Sequence, residues 1–149
     1  MELATAYRGG FIGKTHYFAL RVYIEDTDLG GVVYHANYLR FLERARSDML
    51  RAVGIDHRAA IEHGEGVYAV TEVNIKYRRP ARFDDELVVL TQLEEIGAVA
   101  CSLAQNIMRQ DELIAEALVR IAFLSPAGRP QRQPADWLKK FRQVVTAAE

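Results

Sequence analysis

From His16 onward, apolar and polar side chains alternate as far as Glu25. The apolar positions on one side are Phe18, Leu20, Val22 and Ile24. A period of two is typical of a β-strand with one buried face. Similar β-rich runs predict four more strands, at 67–77, 86–95, 98–109 and 113–124. The short breaks at Ile96-Gly97 and Gln110-Asp111 favour hairpins, so these strands are expected to pair antiparallel.

Between the first two predicted strands the apolar pattern changes to steps of three and four residues. The positions concerned are Tyr38, Leu42, Ala45, Met49 and Val53. This spacing predicts an amphipathic helix over residues 34–53, with Gly54 as the C′ residue beyond its end. A weaker pattern indicates a short helix at 56–63. A C-terminal amphipathic helix is predicted over about 134–147, beginning at Pro134.

This order of elements predicts an α+β fold. Five strands are expected to form one curved antiparallel sheet, with the long helix against its concave face. One helix leaves part of such a sheet uncovered, so we expect a homodimer or homotetramer. The 149 residues suit a single domain over residues 1–149, because a domain typically takes about 100–200 residues.

Composition narrows the possible functions. The chain is 50% hydrophobic and 26% charged, with a net charge of −1, which is globular and almost neutral. That balance argues against nucleic acid or an anionic membrane surface as a partner. We see no secretion signal and no run near the roughly 18 apolar residues of a membrane span. The single cysteine, Cys101, fits a reducing compartment, so we expect a cytoplasmic protein.

The common catalytic machineries have no counterpart in the sequence. The three serines, Ser47, Ser102 and Ser125, lack the G-x-S-x-G elbow of a nucleophile. Cys101 lies mid-strand among apolar neighbours, which is typical of a buried, inert thiol. The histidines near Glu62 and Glu65 lack zinc-ligand spacing. We therefore expect no metal and no redox cofactor.

The segment from Glu25 to Tyr38 has the strongest chemical signal. Carboxylates end a strand, Gly30-Gly31 turns the chain, and a long helix begins. In a purely structural interpretation, Asp28 offsets the helix dipole and the glycines only turn the chain. In a functional one, free N–H groups at the helix start polarise a carbonyl oxygen beside the carboxylate, and glycine admits a substrate to the backbone. Acyl transfer requires such an arrangement.

Glu25-Asp26-Thr27-Asp28, the run from Gly30 to Tyr38, and Phe41-x-Glu43-Arg44-Ala45-Arg46 closely resemble the signature of the 4-hydroxybenzoyl-CoA thioesterase family. Within it the chain is most similar to the acyl-CoA thioesterases associated with the bacterial Tol-Pal system. The likeness covers about residues 16–126, the expected core of the domain. It implies the hotdog fold, in which a curved sheet wraps a helix. It also implies a dimer of joined sheets, with acyl thioesters bound at the interface.

The resemblance also implies residue roles. Asp28 matches the catalytic aspartate, acting as nucleophile or as general base toward water, while a backbone N–H near His35 holds the thioester oxygen. His35 matches a histidine of the Tol-Pal-associated branch, with a role in catalysis, in substrate placement, or only in capping and packing. The expected substrate-binding residues are Gly31, Val32, Tyr34, Tyr38, Arg79 and Arg82. The arginines around Pro80 are either solvated strand-end charges or contacts to coenzyme A phosphates.

The expected activity is hydrolysis of an acyl-CoA to the free acid and coenzyme A. One rival is a hotdog acyl-thioester dehydratase using His35 and Asp28, and another is a non-catalytic acyl-CoA or acyl carrier protein binding subunit. Glu94-Glu95 stands where relatives often carry a basic residue, and its negative charges would repel phosphate. The nucleotide part of coenzyme A is therefore expected to bind elsewhere, or the acyl group arrives on acyl carrier protein. Glu43 is the alternative catalytic carboxylate, although an ion pair with Arg46 is favoured.

Overall fold

The computed structural model describes residues 1–146. Within them the strands are β1 (Gly10–Ile12), β2 (Thr15–Arg21), β3 (Val67–Tyr77), β4 (Glu86–Ile96), β5 (Ala100–Arg109) and β6 (Glu112–Leu124). All neighbours pair antiparallel, in the order β1-β2-β4-β5-β6-β3. The helices are α1 (Asn37–Ala52), α2 (His57–Glu62) and α3 (Ala135–Arg142), with a short 3₁₀ helix at Ile24–Asp26. The predicted α+β class with one antiparallel sheet is confirmed.

The prediction of five strands is wrong, because the sheet has a sixth strand, β1, at its edge. β1 pairs with β2 across a two-residue turn at Gly13 and Lys14, and Ile12 lies opposite Thr15. Gly13 has a φ of +62°, which glycine adopts without steric cost. Three residues are too few to show an alternation, so the period-two pattern does not reveal such a strand.

The ends of α1 follow from local hydrogen bonds. The helix begins at Asn37, three residues after the predicted start: residues 35 and 36 form a turn in which the Asn37 N–H donates to the Tyr34 carbonyl, and the Tyr34 N–H donates to the Asp26 carbonyl. Its end agrees with the prediction: Gly54 has a φ of +92°, and the N–H groups of Gly54 and Ile55 donate back to Arg51 and Leu50. These are the two bonds of a Schellman motif.

Two other predicted elements are shorter than expected. The first patterned strand ends at Arg21 instead of Glu25, because residues 24–26 form the 3₁₀ helix. The C-terminal helix covers Ala135–Arg142 instead of about 134–147, and Pro134 caps it rather than starting it. The predicted end at 147 lies outside the described residues.

Helix α1 packs against β1, β2 and β4, and its apolar stripe forms the centre of the core. Strand β3, at the other edge, is only partly covered. The exposed fractions of Val70, Val73 and Tyr77 are 45%, 37% and 46%. These side chains share the inner face of the sheet with the residues paired to them on β6, which are buried. An apolar row therefore lies exposed beside an open strand edge.

A buried polar pair joins the β1–β2 hairpin to α1. The His16 Nε2 lies 2.8 Å from Asp48 Oδ2, and the Gly9 N–H also donates to that oxygen. Within residues 1–146 the buried His16 Nδ1 has no hydrogen-bond partner. Burial lowers the pKa of His16, and the neighbouring Asp48 opposes this only in part. The neutral imidazole is therefore the form that the core favours.

Candidate active site

The loop between β2 and α1 is held in place by Asp26. This carboxylate is 3% exposed, and its Oδ1 accepts from the Asn37 side chain at 2.6 Å. Its Oδ2 accepts from the Tyr23 N–H at 2.8 Å, and its backbone carbonyl accepts from the Tyr34 N–H. One buried aspartate thus fixes both ends of the loop relative to the start of α1.

Asp28 lies at the tip of this loop and is exposed to solvent. Its Oδ1 accepts the Gly30 N–H at 2.8 Å, and its backbone N–H and carbonyl bond to Val32 and Gly31. Gly31 has a φ of +81° and no atom near the position of a Cβ, so the chain turns tightly and stays open there. Asp28 Oδ2 has no hydrogen-bond donor among residues 1–146. The turn therefore orients the carboxylate and leaves one oxygen available.

The start of α1 offers unused hydrogen-bond donors. Ala36 is the N-cap residue, no side chain caps the helix, and the first turn has no acidic residue. Within the described chain, the backbone N–H groups of His35 and Ala36 have no acceptor. Together with the helix dipole, such donors favour a negatively charged oxygen.

His35 is exposed and lies among tyrosine rings. Its ring centroid is 4.6 Å from that of Tyr34 and 6.3 Å from that of Tyr77, whose hydroxyl donates to the His35 carbonyl at 2.8 Å. Tyr38 is buried, and its hydroxyl accepts the Ala81 N–H at 3.1 Å. Burial raises the pKa of Tyr38, which keeps the phenol protonated. Tyr38 thus supports the floor of the site.

The basic cluster after β3 divides into paired and unpaired arginines. Arg78 and Arg79 form exposed ion pairs with Glu116 at 2.9 Å and Glu112 at 3.0 Å. No carboxylate of residues 1–146 lies within ion-pair distance of the Arg82 guanidinium, although its backbone bridges to Val32. Arg82 is therefore a cation beside the Asp28 loop without an ion-pair partner among the described residues, as is Arg40, which lines the Asp28 depression.

The segment that carries Arg82 is itself anchored by Asp85. Its Oδ2 accepts from the Arg82 N–H at 2.8 Å and from Arg109 at 2.7 Å. Burial would raise the pKa of Asp85, but these two donors outweigh it and lower the pKa. The carboxylate therefore stays ionised and holds the Arg82 backbone next to the loop.

The candidate residues lie around two neighbouring depressions. Asp28 and Tyr34 line one of about 580 Å³, and His35, Tyr38 and Arg79 line another of about 280 Å³. No described cavity contains both Asp28 and His35 in the single chain. Tyr34 links the two depressions, since it lines the first one and its ring packs on His35, which lines the second.

Sequence reasoning missed two features of this region. Arg40 lines the Asp28 depression. It follows Asn37 by three residues on the same helix, and this spacing could have indicated that the two side chains share a face. The favoured Glu43–Arg46 ion pair is not formed: within residues 1–146 Arg46 donates instead to Gln105 Oε1, at 3.0 Å. Glu43 is exposed and lies on a different cavity from Asp28.

Comparison with known proteins identifies the family of this chain. A model of the thioesterase-like superfamily matches residues 22–145. The acyl-CoA thioesterase YbgC of Haemophilus influenzae is 39% identical over 105 residues, which are 70% of this chain and 77% of that protein. The acyl-CoA thioester hydrolase YbgC of Escherichia coli O6:H1 is 35% identical over 126 residues, 83% of this chain and 93% of that protein.

A solved structure, that of a probable thioesterase from Bartonella henselae, is 35% identical with a TM-score of 0.76. The match covers 80% of this chain and 99% of that one. The expected hotdog fold and the expected class of enzyme, a thioester hydrolase, are confirmed by these similarities. The chain belongs to the thioesterase-like superfamily. Within residues 1–146 no helix combines the length and the apolar character that a membrane span needs.

Proposed function

We propose that this protein hydrolyses an acyl-CoA to the free acid and coenzyme A, with Asp28 as the catalytic carboxylate. The observation that carries the proposal is the position of Asp28, exposed and oriented by Gly30, in the loop that leads into the uncapped start of α1. The names of the YbgC relatives, both acyl-CoA thioester hydrolases, support the same substrate class.

The chemistry requires a carboxylate and an oxyanion site. As a nucleophile, the Asp28 oxygen adds to the thioester carbonyl, the C–S bond breaks to release the coenzyme A thiolate, and water opens the resulting anhydride. As a general base, Asp28 takes a proton from the water that attacks the carbonyl; the C–S bond of the tetrahedral intermediate then breaks, and the departing coenzyme A thiolate takes up that proton. In both routes the free N–H groups of His35 and Ala36 stabilise the negative oxygen of the tetrahedral intermediate. No metal or redox cofactor is needed in either.

Isotope labelling tests for the nucleophilic route with opening of the anhydride on the aspartyl side. If Asp28 attacks and water then opens the anhydride on the aspartyl side, turnover in ¹⁸O-water leaves label in the Asp28 carboxylate. A general base acquires none, and the label then appears only in the released acid. Mass spectrometry of the peptide containing Asp28 measures the difference.

The remaining candidate residues are proposed to hold the substrate. Gly31 and Val32 give the thioester access to the loop backbone, while Tyr34, His35 and Tyr38 form the wall and the floor beside it. Arg82 is the first choice for the coenzyme A phosphates, because Arg79 is already paired with Glu112. An acyl group on acyl carrier protein presents the same thioester without the nucleotide. Acyl carrier protein is therefore the alternative carrier of the acyl group. We propose that the reaction takes place in the cytoplasm.

A homodimer is proposed to complete the site. The open edge of β3 and the apolar row of Val70, Val73 and Tyr77 lie together, and residues 1–146 cover them only in part. Pairing of β3 with its copy would extend both sheets and bury this row. Because Tyr77 holds the His35 carbonyl, such an interface would reach the candidate site.

The main alternative is an acyl-thioester dehydratase using His35 and Asp28. Two assays on the same protein distinguish the reactions: free thiol released from saturated acyl-CoAs, and the absorbance change of an enoyl thioester. We expect thiol release and no enoyl signal. An enoyl signal without thiol release would contradict the proposal, and binding without either signal would indicate a non-catalytic subunit. A panel of short, long and aromatic acyl-CoAs gives the acyl preference.

A further inference from the structure

A separate cavity of about 300 Å³ lies between α1 and the beginning of β3, away from the Asp28 loop. Its volume is at the lower end of the range for small-molecule pockets. The wall is mostly apolar and includes Met49, Leu50, Val70 and Ile121. An apolar chain therefore fits the body of this cavity.

One cation interrupts the apolar wall. Within residues 1–146, Arg46 is the only lysine or arginine lining the cavity, and it has no carboxylate at ion-pair distance. Glu43 is also on the wall and is exposed; its carboxylate lies beyond ion-pair distance, but its charge raises the pKa of Arg46 against the larger lowering by burial. His57 is neutral there, because its Nε2 accepts the Tyr68 N–H and burial lowers its pKa. Arg46 thus has no anion in direct contact, and a half-buried guanidinium is stabilised when a ligand supplies one.

Two buried polar residues of the core orient this guanidinium. Gln105 and Thr91 are fully buried. Gln105 Nε2 donates to Thr91 Oγ1 at 3.0 Å and to the Leu42 carbonyl at 3.1 Å, which turns Oε1 toward Arg46. The network uses one of the five donors of Arg46 and leaves the others for a planar, two-oxygen acceptor. A carboxylate has that geometry.

The cavity is connected to the candidate active site by the inner face of β3. Tyr77 contacts His35, and Ile75, Val73 and Val70 continue the apolar row from there to the cavity wall. Arg46 follows Asn37 by nine residues on α1, a distance of about 14 Å along the helix axis. A thioester held at the start of α1 can thus extend its acyl chain along this row, beneath the second copy that is proposed to cover it.

We propose that the cavity binds the far end of an acyl chain that terminates in a carboxylate, and that Arg46 determines this specificity. The substrate class is then the mono-coenzyme A thioester of a dicarboxylic acid. This inference rests on the proposed thioesterase function, because it takes the thioester to lie at the Asp28 loop.

Binding of non-hydrolysable thioethers tests the inference without catalysis. Pairs of S-alkyl-CoA and S-(ω-carboxyalkyl)-CoA of equal chain length are titrated calorimetrically into the whole protein. We expect the carboxylated analogue to bind about tenfold more tightly once the chain is long enough to reach Arg46. Arg46→Met should abolish this preference and leave the affinity for the alkyl analogue unchanged, whereas Arg46→Lys should retain part of it. Arg44→Met, on the exposed side of the same helix, is the matched control and should keep the preference.

Equal or tighter binding of the alkyl analogue by the unmodified protein would overturn the inference, as would binding of neither analogue. A carboxylate preference that survives in Arg46→Met would also overturn it. If Arg46→Met separates the subunits and leaves the preference intact, the guanidinium belongs to an interface between copies and the inference is wrong. Thiol release from simple acyl-CoAs is measured in parallel, so a failure of the specificity is distinguishable from a failure of the proposed function.

Discussion

Asp26 and Asp28 are two residues apart, and their surroundings give them different tasks. Asp26 is buried and accepts from Tyr23 and Asn37, so Asp26→Ala leaves both donors without a partner. We expect this substitution to lower the free energy of unfolding by about 3 kcal/mol, because buried hydrogen bonds to a charged group are strong. Urea denaturation measures the change. Glu25→Ala, at an exposed neighbour, should leave the midpoint nearly unchanged, and equal midpoints for both variants would contradict the anchoring role.

Arg79 and Arg82 should differ in their effect on substrate binding. Arg82 has no ion-pair partner within the described chain and lies next to the Asp28 loop, whereas Arg79 is held by Glu112. Arg82→Ala should raise the KM for acyl-CoA more than Arg79→Ala, and neither should affect pantetheine thioesters, which lack the nucleotide phosphates. Added salt should weaken the same contact. An equal rise in KM for both substrate types would show that these arginines have a structural role only.

At the scale of the elements, His16 and Asp48 couple the β1–β2 hairpin to α1. The pKa of His16 is lowered in the folded protein, chiefly by burial, so the unfolded chain binds the proton more readily. The contribution of neutral His16 to the free energy of unfolding is therefore complete above the pKa of the unfolded chain, about 6.5, and is lost as the pH falls below that value. Besides Asp48, the charged group facing this pair is Arg51, 3.6 Å from Asp48.

Urea denaturation midpoints at about pH 7.5 and pH 5.5 measure this effect. The stability changes between the pKa of His16 in the unfolded chain and its lowered pKa in the folded protein. The unmodified protein should lose more stability over that interval than His16→Gln, which keeps an amide donor near Asp48 but does not titrate. Parallel pH profiles for the two proteins would show that His16 has no part in the loss.

The elements with long, regular patterns were predictable from the sequence, and those fixed by single contacts were not. The alternation from Val67 to Tyr77 gave β3 with its observed bounds, and Gly54 marked the end of α1. Strand β1 is too short for a period, and α1 starts later because residues 35 and 36 form a turn that the apolar pattern does not reveal. In the same way, charge spacing on the helix suggested a Glu43–Arg46 pair, whereas the core supplies Gln105.

At the scale of the whole molecule, we expect a dimer formed through β3. Val73→Lys places a charge in the exposed apolar row beside the open edge, and we expect it to yield monomers with little activity. Leu118→Lys is the matched control: Leu118 is 58% exposed on the outer face of the sheet, so the variant should keep at least a dimer. Analytical ultracentrifugation gives the oligomeric state. An active Val73→Lys monomer would contradict both the interface and the completion of the site by a second copy.

The central claim is that Asp28 performs the chemistry of thioester hydrolysis, and the most direct measurement is thiol release by Asp28→Asn under saturating acyl-CoA. This variant keeps the size of the side chain and its carbonyl acceptor for the Gly30 N–H, but removes the charge. Turnover should fall at least ~10²-fold, as expected for loss of a general base or nucleophile. The oligomeric state and the urea midpoint should not change, and Glu25→Gln, on the same depression, should remain active. Near-normal turnover by Asp28→Asn would contradict the account, and Glu43 would then be the carboxylate to test.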